Sequence, residues 1–281
     1  MRFAGRDFLK GAVTASALMV LGSGAAQAAT VFDQGFETDT AGWFDENSGW
    51  TGSVTRQASG TDGIAAHEGN FYANFQQTDT QGIGVSGAFT RFDGFRDTFP
   101  GTYSASAAIY LDTSWAAGEG FDYSVASSGS DGGHQRDFIF HVAKDTSTGS
   151  LLVGGSNNTN FDPRQDLENL NHFEVTETGW YIFEHLFRED GGQLAVDLNL
   201  YNAASVLLFT ETRTNAADTI PGEVGGNRYG WFTNIDIDGG IAVDATQLNI
   251  SAVPVPAALP LLLSGLGLFG IVGRFRRRAK V

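Results

Sequence analysis

Residues 193–202 read QLAVDLNLYN. Leu194, Val196, Leu198 and Leu200 fall on one side of an extended chain, and Asp197 and Asn199 on the other. Side chains alternate across a strand, so an apolar–polar period of two marks a strand buried on one face. TYSASAAIYLD, residues 102–112, does the same, with Tyr103, Ala105, Ala107, Ile109 and Leu111 sharing a face. DFIFHVAKD (137–145), GWYIFEHLF (179–187), SVLLFTETR (205–213), RYGWFTNIDID (228–238) and IAVDATQLNI (241–250) continue the pattern. Gly, Asn, Asp and Ser clusters separate these runs, and 37 glycines suit turns and bulges. DPRQDLENLNHF (162–173) has room for one helical turn or a long loop. Many short strands in one segment of this length predict an all-β fold, a jelly-roll or lectin-like β-sandwich.

The sandwich is expected over residues 29–251, between two ends of different character. Residues 1–28 carry Arg2, Arg6 and Lys10, an apolar run from Gly11 to Leu21, then Ala26-Gln27-Ala28. Charge, apolar run and small-residue site, in that order, predict a secretory signal cut between Ala28 and Ala29. GRDFLKG resembles a twin-arginine signal with Gly5 in place of the first Arg, so both the general and the twin-arginine export routes stay open. Residues 252–281 begin with Val253, Pro254, Val255, Pro256 and Ala257. An apolar stretch from Leu259 to Val272 follows, interrupted among polar residues only by Ser264. A spanning helix needs about 20 apolar residues; this one is short unless Ala257, Ala258 and snorkelling Arg side chains extend it. Arg274, Arg276, Arg277, Arg278 and Lys280 predict a cytoplasmic stop, with the large middle segment outside. Gly265, Gly267 and Gly270 match a dinucleotide fingerprint in letters, but no strand precedes them and no acid follows at the required distance.

This Pro-rich motif, apolar helix and Arg cluster resemble the PEP-CTERM class of bacterial sorting signals. VPVPA is similar to its VPLPA variant, with Val255 where Leu is usual. The resemblance implies an inner-membrane precursor, an exosortase-type protease as partner, and delivery to the cell surface or extracellular matrix. It covers only the tail, and such tails are attached to many unrelated ectodomains.

The whole chain of 281 residues has net charge −15. Three basic residues and one acidic residue leave with the signal and five basic residues with the tail. Nine Lys and Arg then face thirty-one Asp and Glu, a net of −22. Such a surface disfavours nucleic acid and anionic lipid. There is no cysteine, which excludes thiol chemistry and cysteine metal sites.

FDQGFETDTAGW (32–43) and GIAVDATQL (240–248) resemble the first and last strands of jelly-roll carbohydrate-binding modules. The resemblance implies neighbouring strands and a structural calcium held by Glu37 and Asp244, with Asp39 assisting. Asn234-x-Asp236-x-Asp238-Gly239 starts like a calcium loop, but Ala245 stands where Glu is needed. On a strand those three residues would share a solvated face.

No catalytic motif is complete. There is no G-x-S-x-G elbow, His67-Glu68 lacks its second His, and E-x-D-x-x-E is absent. His141 and His185 read as structural residues of alternating strands. Trp43 and Trp50 lie among Gly, Asn and Asp, as a sugar-stacking platform would, whereas Trp180 and Trp231 lie in apolar runs and read as core. Three functions remain open: a structural or adhesive surface protein, a module binding extracellular polysaccharide, and a surface glycoside hydrolase with distant carboxylates. Mass spectrometry of the mature protein is expected to find Ala29 first and Arg274–Lys280 missing. Retention of Met1–Leu21 would contradict export by cleavage, and an intact basic end on surface-delivered protein would contradict tail processing.

Overall fold

The computed structural model describes residues 28–48, 52–77, 87–158 and 162–251. Its strands are β1 (Ala29–Gln34), β2 (Trp43–Phe44), β3 (Ser53–Ala58), β4 (Phe71–Gln76), β5 (Phe89–Thr90), β6 (Tyr103–Leu111), β7 (Gly120–Gly129) and β8 (His134–Lys144). β9 (Leu151–Asn157), β10 (His172–Val175), β11 (Gly179–Asp190), β12 (Gln193–Asn202), β13 (Leu207–Thr219), β14 (Val224–Thr233) and β15 (Ile241–Ile250) follow. They form two antiparallel sheets. One runs β13-β12-β11-β6-β15-β4-β3, with β1 added on β15; the other runs β10-β9-β8-β7-β14-β5-β2. The all-β sandwich is as the alternation predicts. The segment after β9 holds one helical turn, α1 (Asp162–Gln165), and a short 3-10 turn at Leu167–Asn169.

Alternation decides what each sheet contributes to the interior. Leu194, Val196, Leu198 and Leu200 are all fully buried, as are Ala105, Ala107, Ile109 and Leu111. The seven-stranded sheet answers with Phe121, Tyr123 and Val125 from β7, Phe138, Phe140 and Val142 from β8, and Phe232 from β14. Phe232 is the meeting point. Its ring centroid lies 5.1 Å from Phe75 of the facing sheet, 4.5 Å from Tyr123, 5.8 Å from Trp43 and 6.2 Å from Phe121. Aromatic contacts at these separations add to the gain from burial itself.

His185 points into this core. Its Nε2 donates to the Phe138 carbonyl at 3.1 Å, bridging the sheets, and the Tyr123 and Phe140 rings meet it edge-on. Burial pushes its pKa down to about 3, so the ring is neutral.

One strand expectation fails. β14 stops at Thr233 and β15 starts at Ile241, so Asn234, Asp236 and Asp238 lie on a connection rather than on one strand face. Asn234 takes a left-handed backbone, φ 51°, which ends the strand, and its side chain is buried. Asp236 accepts from Arg164 Nη2 at 2.9 Å, while the other arm of Arg164 donates to the Asn234 carbonyl at 2.6 Å.

Phe232→Ala is expected to lower the unfolding free energy by about 3–5 kcal/mol, the usual cost of emptying a large aromatic site. Urea unfolding of the ectodomain measures it, and a loss below about 1 kcal/mol would remove Phe232 from its central position.

Candidate functional site

The first and last strands are neighbours: β1 pairs with β15 from Gln34↔Thr246 to Ala29↔Ile250. Ala28 and Ala29 are exposed at the start of β1. On its β1 side, β15 changes partners. Ile241–Val243 pair with β4, Thr246–Ile250 with β1, and Asp244-Ala245 fall in the gap. Ala245 has φ 45°, and the register with β6 shifts there. This bulge aims Asp244 outward, under the loop that precedes β4.

That loop is clasped by two carboxylates. Asp244 Oδ2 accepts from the His67 and Glu68 N–H groups at 3.0 and 3.1 Å, and Oδ1 from Ala245 N–H at 2.8 Å. Glu37 Oε1 accepts from the Asn70 and Phe71 N–H groups at 2.9 and 3.0 Å. Trp180 Nε1 donates to the Ala65 carbonyl, and Tyr72 OH to that of Thr61. Glu37 and Asp244 therefore hold the two halves of one loop. Asp39 serves a different turn, accepting from Ala41 N–H and Gln34 Nε2. Calcium needs six to eight oxygen donors around it, but here the engaged carboxylate oxygens face the positive ends of N–H groups. Among the described residues, no group of three or more His, Cys, Asp or Glu is placed to hold a metal ion. The donor set does not fit calcium, and the three acids predicted to share one do not converge.

The tryptophans also differ from expectation. Trp43 is 7 % exposed, packed on Phe75 and Phe232, with Nε1 donating to Thr246 Oγ1 at 3.2 Å. It is a core residue and not a platform, because its two-residue strand continues the seven-stranded sheet and turns the ring inward. Trp50 lies outside the described residues, as do Val253–Ala257 and Arg274–Arg278 of the predicted sorting tail. Trp231 is the reverse case. Phe232 occupies the inward position, so Trp231 faces out.

Trp231 belongs to a row of cross-strand partners along the outer face of the seven-stranded sheet: Phe44↔Phe89↔Trp231↔Ser124↔Ile139↔Ser156. Tyr229 lies beside it, 5.0 Å from the Phe89 ring and 6.3 Å from that of Trp231. Tyr229 OH donates to Asp137 Oδ1 at 2.8 Å, and His134 stacks on the Tyr229 ring while its Nε2 meets Asp137 Oδ2. Burial raises the Tyr229 pKa, and the adjacent Asp137 carboxylate raises it further. Two buried polar atoms in the row, Ser124 Oγ and Trp231 Nε1, have no hydrogen-bond partner. In the neighbouring row, Asp122 and His141 are direct cross-strand partners, bonded at 2.8 Å, and His141 Nε2 meets Ser156 Oγ at 2.7 Å.

No protein-family model and no curated protein matches the chain. Among solved structures, the chain is similar to the CBM2 module of the Lactobacillus casei BL23 phage J-1 evolved Dit. Identity is 12 % over 82 % of this chain and 99 % of that one, with a TM-score of 0.46. It is also similar to a Lotus tetragonolobus seed lectin (11 %, 79 % and 96 %, TM-score 0.34). A winged bean acidic lectin complexed with methyl-α-D-galactose matches at 10 % identity, 80 % and 99 % coverage and TM-score 0.36.

Burial pushes the Asp244 carboxyl up to about 6, against the lowering effect of the Glu68, Ala245 and His67 N–H groups. A raised folded-state pKa means that protonated Asp244 favours the fold. Its contribution is therefore full below about pH 4 and is lost as pH rises through about 6. Comparing unfolding of wild type and Asp244→Asn from pH 4 to 7 is expected to show wild type losing relative stability over that window. A flat difference would place the Asp244 pKa near its ordinary value. Chelator is expected to leave the wild-type melting temperature unchanged, and a fall on chelation would restore the metal reading.

Proposed function

We propose that the chain is an exported surface or matrix protein whose β-sandwich binds glycan on the outer face of the seven-stranded sheet. The observation that carries this is the aromatic cluster of Trp231, Tyr229 and Phe44, residues partly exposed on that face around Phe89. Such rings offer stacking surfaces for the apolar face of a sugar ring. The carboxylate of Asp137, already holding Tyr229 and His134, is an acceptor for hydroxyls in the same area. The export signal and the VPLPA-like tail support a surface location and an exosortase-type protease as processing partner, with the inner membrane as a stage on the way.

Binding of neutral oligosaccharides to the ectodomain, screened on an array and measured by calorimetry, tests the reading. Trp231→Ala is expected to weaken the best ligand at least about tenfold, equal to about 1.4 kcal/mol, while Trp180→Ala on the opposite sheet leaves it unchanged. Equal losses in both variants, or no ligand on the array, would refute the site.

A further inference from the structure

We infer that Ser156 is an activated nucleophile and that the outer face of the seven-stranded sheet carries an acyl-ester hydrolase centre. Three adjacent strands supply one residue each: Asp122 from β7, His141 from β8 and Ser156 from β9. Ser156 Oγ lies 2.7 Å from His141 Nε2, and His141 Nδ1 lies 2.8 Å from Asp122 Oδ1. The carboxylate only accepts, so Nδ1 donates to it, and in the neutral imidazole the Nε2 lone pair faces the serine hydroxyl. Asn234 Nδ2 donates to Asp122 Oδ2 at 2.8 Å, which fixes the carboxylate from its other side. Nucleophile, base and orienting acid are thus in line, the arrangement by which such a relay is recognised on unrelated folds. No local motif encodes it, because the three residues meet through strand register alone.

Burial gives the relay a direction. Asp122 and His141 are fully buried, while Ser156 is half-buried at the end of its strand. A substrate therefore reaches the relay at the serine. The floor beside it is tight: a Cβ on Gly154 would lie 2.6 Å from Leu167 Cδ1 and 2.9 Å from the Asn171 carbonyl. Leu167 and the Asn171 carbonyl thus cover the cross-strand partner of His141 and close that side of the relay.

The chemistry balances without a further reagent. Ser156 Oγ bonds to the ester carbonyl carbon while its proton passes to His141 Nε2. The carbon–alkoxy bond breaks, and the same proton leaves with the alcohol. Water then adds to the acyl-serine, giving a proton to Nε2. The acyl–Oγ bond breaks, the carboxylic acid departs, and Ser156 regains its proton.

p-Nitrophenyl acetate and a fluorophosphonate probe test this without any glycan, so the outcome is separate from that of sugar binding. Wild type is expected to form one adduct, on the Ser156 peptide, and to hydrolyse the acetate. Ser156→Ala, with the fold verified by near-UV circular dichroism, is expected to lose the adduct and at least about 100-fold in rate. Asp122→Asn is expected to reduce the labelling rate while Ser156 remains the labelled residue. Equal hydrolysis by wild type and Ser156→Ala, or labelling elsewhere only, would overturn the proposal and leave the three residues as a structural network.

Discussion

The inward position of Phe232 is the constraint on which both the core and the outer face depend. Its ring touches Phe75 of the opposite sheet and Trp43, Phe121 and Tyr123 of its own. Strand periodicity allows no partial choice: with Phe232 inside, Trp231 and Thr233 must face out. β7 and β8 are tied to the same choice by pairing, since Phe232↔Tyr123↔Phe140 form one inward row. Their outward neighbours are then Asp122, Ser124, Ile139 and His141. The residues of the candidate face are thus brought together by the packing that closes the sandwich.

The opposite sheet resolves a different problem. β15 must pair with β4 and then with β1, and a gap opens between them at Asp244. The left-handed backbone of Ala245 absorbs the extra length, at a cost of order 1–3 kcal/mol for a residue with a side chain. The return is a carboxylate placed to satisfy three backbone N–H groups, two of them in the loop that Glu37 holds at its other end. Two acids that look like metal ligands in sequence thus have their oxygens engaged by the chain itself.

How far the sequence can be read follows from these cases. Alternation places Leu194–Leu200 and Tyr103–Leu111 correctly because apolar and polar residues differ on the two faces. The resemblance to jelly-roll modules, not alternation, implies that the first and last strands are neighbours, and they are. Alternation misjudges Trp231 because RYGWFTN is aromatic on both faces, and composition alone cannot say which ring goes in. The signal was nevertheless present, since Gly230 and Phe232 on one side against Tyr229, Trp231 and Thr233 on the other is an alternation of small and apolar against amphipathic. Trp43 is misjudged for the opposite reason: its strand has two residues, too few to show a period. The Asp122–His141–Ser156 contact could not have been read at all. It needs the β7–β8 and β8–β9 registers, and each is set by hairpin geometry far from the three residues.

Charge narrows what such a face can hold. The segment between the predicted ends carries a net −22, and the field of so many carboxylates repels polyanions at long range. Uronic-acid, sulfated or phosphorylated polymers would have to overcome that field, against which Arg91, over the Phe44 and Phe89 rings, sets one local positive charge. A neutral sugar pays no such penalty, because hydroxyl hydrogen bonds and ring stacking are short-ranged and carry no net charge. Masking sugar hydroxyls as esters also leaves the ligand neutral, and it adds the electrophilic carbonyl that a serine at the end of the row would meet. The proposed sugar-binding face and the proposed Ser156 centre are thus compatible with each other and with the acidic surface when the ligand is an uncharged sugar bearing ester groups.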